Sequence, residues 1–186
     1  MINIDLTSAP LYFAGDIKSK EFLNALLPGA PFCVKGIVYR AADPLYDLSE
    51  YIAPAKKRGL ALLIDLCSAK SENLSSIVGA LFAANVPLKF ISGEKAALIS
   101  LKKSFPEAEF LLRSEFFDVT VVPDLLINGF GADIYYDKLT FERIRDLLNL
   151  NIKTFCHGVK EADVAALLTY YKVSGIIADG SRIFKV

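Results

Sequence analysis

Two residues that can transfer protons stand directly after apolar runs in this sequence. Asp65 follows Leu60–Ile64, and His157 follows Ile152–Cys156. A carboxylate at such a position can act as a general base or a metal ligand, and an imidazole can act as a general acid or base. The alternative for Asp65 is a helix N-cap or a hydrogen-bonded loop carboxylate, and the alternative for His157 is a structural role. We treat both as catalytic candidates.

A second set of residues has the chemistry of a phosphate site. Backbone N–H groups at loop glycines and guanidinium side chains both hold phosphate well. Polar residues are also expected wherever an apolar strand reaches a solvated loop, so the same pattern could lack function. The phosphate-binding candidates are Arg40, Gly158, Gly180, Ser181 and Arg182. Other polar residues just after apolar runs are Asp16, Ser92, Glu94, Arg113, Glu115, Asp137, Lys138 and Asp179.

Several familiar kinds of site are excluded by what the sequence lacks. His157 is the only histidine, so no zinc site can be built on several histidines. Cys33, Cys67 and Cys156 are odd in number and show no C-x-x-C spacing, so we expect buried, reduced thiols. No P-loop, G-x-G-x-x-G or G-x-S-x-G motif is present. We expect no cofactor and no tightly bound divalent metal, since Arg40 stands where a second carboxylate would be needed.

The composition favours a cytoplasmic protein with a small-molecule partner. Lys plus Arg and Asp plus Glu number 21 each, without a basic run, so nothing predicts binding to nucleic acid or to an anionic membrane. No apolar run approaches the ~20 residues that cross a bilayer, and the first twenty residues do not resemble a signal peptide. The oligomeric state stays open.

Short apolar runs alternate with segments of helical periodicity along the whole chain. Several of the runs are apolar on consecutive positions, which is typical of parallel strands buried on both faces. Segment 121–130 is interpreted as a short irregular connection with a turn at Asn128-Gly129. The predicted strands are Leu11–Ala14, Cys33–Tyr39, Leu60–Leu66, Leu88–Ser92, Glu109–Arg113, Ile134–Asp137, Ile152–Cys156 and Gly175–Ala178. The predicted helices are Ser19–Leu27, Leu48–Arg58, Ser71–Ala84, Glu94–Phe105, Thr140–Leu148 and Lys160–Tyr171.

Local signals mark the ends of several helices. Gly59 suits a left-handed position after the second helix, whereas Pro54 predicts either a later start near Ala53 or a kink. Thr140 is expected to be an N-cap.

Eight strands alternating with about seven helices favour one compact (β/α)8 TIM barrel of the α/β class over residues 1–186. The 186 residues divided over eight units give roughly 23 per unit, which leaves no room for a second domain. An open doubly wound sheet is the alternative. In a barrel the C-terminal strand ends converge, so we expect Asp65, His157 and Asp179 at the same end.

Three segments make the chain resemble the glycerophosphodiester phosphodiesterases. Asp47–Arg58 leads into Leu60–Leu66, Phe90–Gly93 continues through a helix to Pro106, and Leu167-Leu168 precedes Gly175–Asp179. The resemblance covers about residues 45–182 and implies a barrel that handles phosphate esters.

Most of that family's catalytic residues have no counterpart here. Its opening His-Arg-Gly is replaced by Ala14-Gly15-Asp16, its Glu-x-Asp metal pair by Val38-Tyr39-Arg40, and its second histidine is absent. Only Asp65 could stand in for an acidic metal ligand of the family. We therefore expect a divergent barrel that binds a small phosphorylated ligand, at most a degenerate phosphodiester hydrolase with weak or no activity.

A second family fits the front half of the chain. Leu11–Asp16 and Leu62–Asp65 look like the first and third strands of thiamine phosphate synthases, which are also small phosphate-binding barrels. Their double glycine after strand seven is here Cys156-His157-Gly158. A thiamine-phosphate-synthase-like enzyme and a non-enzymatic regulatory or interaction barrel are the alternatives to the phosphodiesterase type.

Overall fold

The computed structural model describes residues 10–15, 17–27, 34–42, 47–67, 71–114, 119–179 and 183. Eight strands form a closed sheet in which each strand pairs in parallel with the next, and the eighth pairs with the first. The predicted (β/α)8 barrel is therefore confirmed, and the open sheet is excluded. The strands are β1 (Leu11–Ala14), β2 (Val34–Arg40), β3 (Ala61–Asp65), β4 (Leu88–Ser92), β5 (Glu109–Ser114), β6 (Gly131–Tyr135), β7 (Thr154–Val159) and β8 (Gly175–Asp179).

Capping residues set the ends of the helices that surround the sheet. Asp47 Oδ1 accepts a hydrogen bond from Ser49 N at 2.8 Å, and Thr140 Oγ1 accepts one from Arg143 N at 3.4 Å, as expected of an N-cap. Gly59 ends its helix at φ 63°, in the predicted left-handed conformation. The helices are α1 (Lys20–Ala25), α2 (Leu48–Arg58), α3 (Ser71–Phe82), α4 (Lys95–Ser104), α5 (Val122–Asn128), α6 (Phe141–Asn149) and α7 (Ala162–Tyr170).

Two sequence-based predictions about elements were wrong. Residues 122–128 form helix α5 rather than an irregular connection, because Pro123 is compatible with a first helical turn and Gly129 caps the end at φ 63°. Helix α2 runs over Leu48–Arg58 as predicted and contains Pro54, so the alternative of a later start near Ala53 is excluded. Strand β6 begins at Gly131, two residues after that glycine cap and three residues earlier than predicted, so Asp137 lies beyond it in a 3-10 turn.

Strand β7 also differs from its prediction. It runs over Thr154–Val159 rather than Ile152–Cys156. His157 and Gly158 therefore lie within the strand, not in the loop that follows it. This places the imidazole among the barrel side chains.

Side chains fill the interior of the barrel. A cluster of buried residues lies inside the sheet, separate from the larger core between strands and helices. The rings of Tyr12 and Phe155 meet there with centroids 5.3 Å apart. A β carbon at Gly36 would lie 2.6 Å from the Tyr12 ring, and one at Gly175 would lie 2.2 Å from the Phe155 ring, so both large rings depend on these glycines.

Three charged residues occupy the N-terminal end of the barrel, and we call them the basal ion cluster. Glu109 accepts hydrogen bonds from Lys89 and, at 2.6 Å, from Lys153 Nζ. The Lys89 ammonium lies 5.7 Å from the ring centroids of both Tyr12 and Phe155. Burial, followed by the negative charge of Glu109, raises the pKa of Tyr12 to about 12, so this phenol stays neutral. The basal end is thus packed with paired charges and rings.

Within the described ranges, no helix is both long and apolar enough to span a membrane.

Candidate functional site

Polar residues converge on the C-terminal end of the barrel. Side chains alternate between the two faces of a strand, so the residue two positions after an interior-packed residue also points inward. Leu63, Leu111 and Phe155 pack inside the barrel. The inward residues at this end, here called the mouth, are Arg40, Asp65, Arg113, Asp133, His157 and Asp179. The structure thus places Asp65, His157 and Asp179 at the same end.

Asp133 lies at the centre of the mouth, and the sequence analysis missed it. Its side chain is fully buried within β6. Oδ2 accepts a hydrogen bond from Arg113 Nε at 2.6 Å, and Oδ1 lies 3.1 Å from His157 Nδ1. A carboxylate that holds Nδ1 leaves Nε2 as the ring nitrogen that can exchange a proton with a ligand. Asp133 and His157 therefore form an acid–base pair.

Asp65 extends this arrangement across the barrel. Its Oδ2 accepts a hydrogen bond from Arg113 Nη1 at 2.9 Å, and its Oδ1 accepts one from Cys67 N at 3.0 Å. Strand β4 lies between β3, which carries Asp65, and β5, which carries Arg113. Gly93 follows β4 and has no side chain that could block the contact between these two residues. Because both oxygens are engaged, Asp65 holds an arginine and a loop rather than offering a free base.

Arg113 links the two carboxylates. Burial alone would lower its pKa, but the charges of Asp133 and Asp65 outweigh that effect and raise the pKa above its ordinary value. The guanidinium is therefore permanently charged. Asp65, Arg113, Asp133 and His157 form one continuous hydrogen-bonded series, here called the polar chain, across β3, β5, β6 and β7.

A second ion pair spans the mouth on its other side. Arg40 Nη2 donates a hydrogen bond to Asp179 Oδ1. The strand between them, β1, ends in Ala14, whose small side chain leaves the path open. Both partners are partly exposed, with side-chain exposures of 49% for Arg40 and 28% for Asp179. This pair is therefore more accessible to a ligand than the polar chain.

The remaining predicted residues fall into three groups. Gly158 has φ 79°, and a β carbon there would lie 2.2 Å from the Tyr135 ring, so its packing alone requires glycine. Ser92 Oγ accepts a hydrogen bond from Glu94 N at the end of β4, and Asp137 pairs with Lys138 at 3.6 Å outside the polar chain. Asp16, Glu115, Gly180, Ser181 and Arg182 lie outside the described residues.

The described donor set does not fit the divalent metal that the phosphodiesterase resemblance implies. Among the residues that the structure describes, no three or more His, Cys, Asp or Glu side chains cluster as metal ligands. Asp65 already neutralises Arg113, and β2 ends in a guanidinium, which repels a cation.

The described cysteines are not nucleophiles at neutral pH. Cys67 and Cys156 are both free thiols. Burial raises the pKa of Cys67 to about 11, although the positive charge of Arg113 opposes this, and burial also raises the pKa of Cys156. Cys33 lies outside the described residues. The chemistry of the mouth thus rests on charge and on one imidazole.

No family model matches the sequence, and no curated protein matches it significantly. Several solved structures share its fold. A phosphodiesterase from Oleispira antarctica, in complex with its product sn-glycerol-3-phosphate, is 19% identical with a TM-score of 0.62 and covers 71% of this chain. The chain spans 56% of that phosphodiesterase's length.

Two other solved structures match over more of their length. KGPDC from Streptococcus mutans, in complex with a phosphorylated ligand, is 16% identical with a TM-score of 0.63, covering 92% of this chain and 88% of its own. A glycerol uptake operon antiterminator regulatory protein from Listeria monocytogenes is 12% identical with a TM-score of 0.65, covering 96% of each chain. At these identities the comparisons establish the fold, including its likeness to phosphodiesterase barrels.

Proposed function

We propose that the protein binds a small phosphorylated metabolite at the mouth and hydrolyses phosphodiesters weakly or not at all. The observation that carries this proposal is the pair of inward-facing guanidinium groups at the C-terminal end, where ligands of (β/α)8 barrels bind. The structural neighbours support it, since the phosphodiesterase holds sn-glycerol-3-phosphate and KGPDC also holds a phosphorylated ligand.

The contacts of Arg113 suit it to recognise an oxyanion. A guanidinium carries five N–H donors, and Asp133 and Asp65 each accept a hydrogen bond from one of them. These bonds fix the side chain in place while the other donors remain for a ligand. Arg40 is held by one carboxylate, so a phosphate oxygen can compete with Asp179 for its donors.

The same contacts argue against efficient hydrolysis. Cleaving a phosphodiester requires activation of a water molecule and protonation of the leaving group, and a metal ion commonly assists. This chain has one histidine, and the hydrogen bonds of Asp65 commit both of its oxygens. One imidazole without a metal supports only slow turnover.

A regulatory barrel without enzymatic activity is the second candidate. The observation in its favour is the antiterminator regulatory protein, which matches this chain over 96% of both lengths. In this case phosphate binding would change an interaction with a macromolecule rather than lead to a reaction.

Calorimetric titration with sn-glycerol-3-phosphate tests the binding proposal. We expect saturable binding by the wild type, weakened by about one to two orders of magnitude in Arg40→Ala and Arg182→Ala, because a guanidinium–phosphate hydrogen bond contributes roughly 1.5–3 kcal/mol. Arg145→Ala, on exposed helix α6, is the matched control and should bind like the wild type. Absence of binding, or equal binding by all four proteins, would contradict the proposal.

A hydrolysis assay tests the second part of the proposal, that the protein hydrolyses phosphodiesters weakly or not at all. Glycerophosphocholine with Mg²⁺ or Ca²⁺ should give either no turnover above the buffer blank or turnover far slower than about 1 s⁻¹ that does not depend on the metal. Metal-dependent turnover at about 1 s⁻¹ or faster, within the ordinary range of enzymes, would show that the chain is an active phosphodiesterase.

A further inference from the structure

The charges of the mouth do not balance for a phosphate dianion. Its six inward residues include two guanidinium groups, on Arg40 and Arg113, against three carboxylates, on Asp65, Asp133 and Asp179. With a neutral imidazole the described mouth therefore carries a net charge of −1 (two minus three). A dianion brought into this surface meets repulsion unless a positive charge is added.

His157 is the mouth residue that can supply that charge near neutral pH. Histidine is the side chain whose ordinary protonation change falls in this range. Its Nδ1 lies 3.1 Å from Asp133 Oδ1, and its own side chain is only 19% exposed. A protonated ring would donate Nδ1–H to Asp133 and direct Nε2–H towards a ligand.

Asp133 is placed to support the protonated ring. It is fully buried, and its other oxygen is held by Arg113 at 2.6 Å, so it cannot turn away from the imidazole. The other neighbours of His157 contribute little charge. Tyr135 packs edge-on at 5.4 Å, Asp137 and Lys138 pair with each other, and Asp179 on β8 is held by Arg40.

We propose that a phosphate dianion binds together with one proton, which His157 takes up, and that Asp133 is the positioning residue for this uptake. This inference rests on the proposed function and deepens it by specifying the form of the ligand. No bond in the ligand is made or broken. The proton comes from solvent, and the complex carries an imidazolium between Asp133 and the phosphate. A phosphodiester, which is a monoanion, gains less from the same proton.

Proton uptake can be counted directly by calorimetry. sn-Glycerol-3-phosphate is titrated at pH 7.5 in buffers of different ionisation enthalpy, where the ligand is already a dianion because its second pKa is near 6. We expect the wild type to take up a measurable fraction of one proton, and its affinity to weaken by up to about tenfold per pH unit as the pH rises. His157→Gln should bind without uptake and without this pH dependence.

The single histidine allows a second, direct measurement. In protein labelled with ¹⁵N-histidine and carrying no histidine tag, one pair of ring signals reports on His157 alone. Adding the ligand should move both signals to imidazolium positions, and Asp133→Asn should abolish that shift while Arg145→Ala preserves it. If Asp133→Asn does not fold, the proton uptake counted by calorimetry in the wild type and in His157→Gln keeps the proposal testable.

The outcomes separate the two proposals. Binding without proton uptake, or a complex in which His157 stays neutral, would overturn this inference and leave the proposed function standing. Absence of binding in every buffer would overturn both.

Discussion

Arg113 Nε donates a hydrogen bond to Asp133 Oδ2 at 2.6 Å, between two side chains that lie on adjacent strands and are 20 residues apart in sequence. The carboxylate is fully buried, and the arginine side chain is 20% exposed. The same guanidinium holds Asp65, whose side chain is 10% exposed. One cation therefore holds two carboxylates that solvent scarcely reaches.

Removing that cation should be costly. We expect Arg113→Leu to lower the free energy of unfolding by about 3–5 kcal/mol, because two buried carboxylates lose their partner. Arg113→Lys should recover only part of the loss, since an ammonium cannot reproduce the two-sided contact of a guanidinium. Urea unfolding followed by circular dichroism measures both. Arg145→Leu, at an exposed pair, is the control, and an equal loss in the control and in Arg113→Leu would contradict the role of the buried network.

Gly158 offers a steric test of the mouth. Gly158→Ala should destabilise the protein by about 1–3 kcal/mol, because φ 79° strains an L-residue and its β carbon would lie 2.2 Å from the Tyr135 ring. Gly79→Ala in α3, where nothing lies within 4 Å of the new β carbon, is the matched control and should be neutral or stabilising. When Tyr135 is also replaced by Ala, Gly158→Ala should destabilise the protein less, because only the backbone strain remains. An unchanged loss would show that the ring contact is irrelevant.

The basal ion cluster should make stability depend on acid pH. Burial alone would raise the pKa of Glu109, but hydrogen bonds from Lys153 and Lys89 outweigh it and hold the pKa below its ordinary value. A carboxyl group whose pKa is lowered by folding stabilises the native state above its unfolded pKa. That contribution is lost as the pH falls through the lower native value.

Glu109→Gln is the variant that measures this effect. The variant should have a lower free energy of unfolding than the wild type at pH 7. The difference between the two proteins should be largest there and should decrease steadily below about pH 4.5. Urea titrations at pH 7, 5, 4 and 3 give the comparison. A deficit that stays constant over this range would mean that the ion pairs do not supply the stabilisation.

Cys67 should react slowly at neutral pH. With Cys33→Ser and Cys156→Ala replacing the other two thiols, alkylation by iodoacetamide should be slow at pH 7–8. It should accelerate as the pH approaches about 11, the raised pKa of this thiol. Unfolded protein in urea is the control and should react at the rate of an ordinary thiol. Rapid labelling of the folded protein at pH 7 would contradict the buried environment beside Asp65.

The barrel was predictable because burial on both faces leaves a clear pattern. Leu88–Ser92 was predicted with both boundaries correct, since the apolar pair Phe90-Ile91 ends at the polar Ser92. Helix α5 was not predicted, because Pro123 and Asn128-Gly129 are typical of a loop. The sequence alone does not show that the residues between them pack against the core. Leu125, which is buried, supplies that packing.

The centre of the mouth was the least predictable part. Asp133 interrupts the apolar run Gly131–Tyr135, and an inward-pointing charge in a strand could have signalled a buried ion pair. Nothing local to the sequence shows that Arg113 and His157 flank it, because the register between strands joins them. Asp137, which follows the run and resembles a strand end, lies outside the polar chain.

The basal ion cluster closes one end of the described barrel, so the barrel is not a passage. Lys89, Glu109, Tyr12 and Phe155 occupy the end opposite the mouth, so a ligand has to arrive and leave along one route. Under the proposed function, a new ligand can then bind only after the old one has left. Substitutions in the basal ion cluster should leave the proposed ligand site intact, because the cluster lies at the opposite end of the strands.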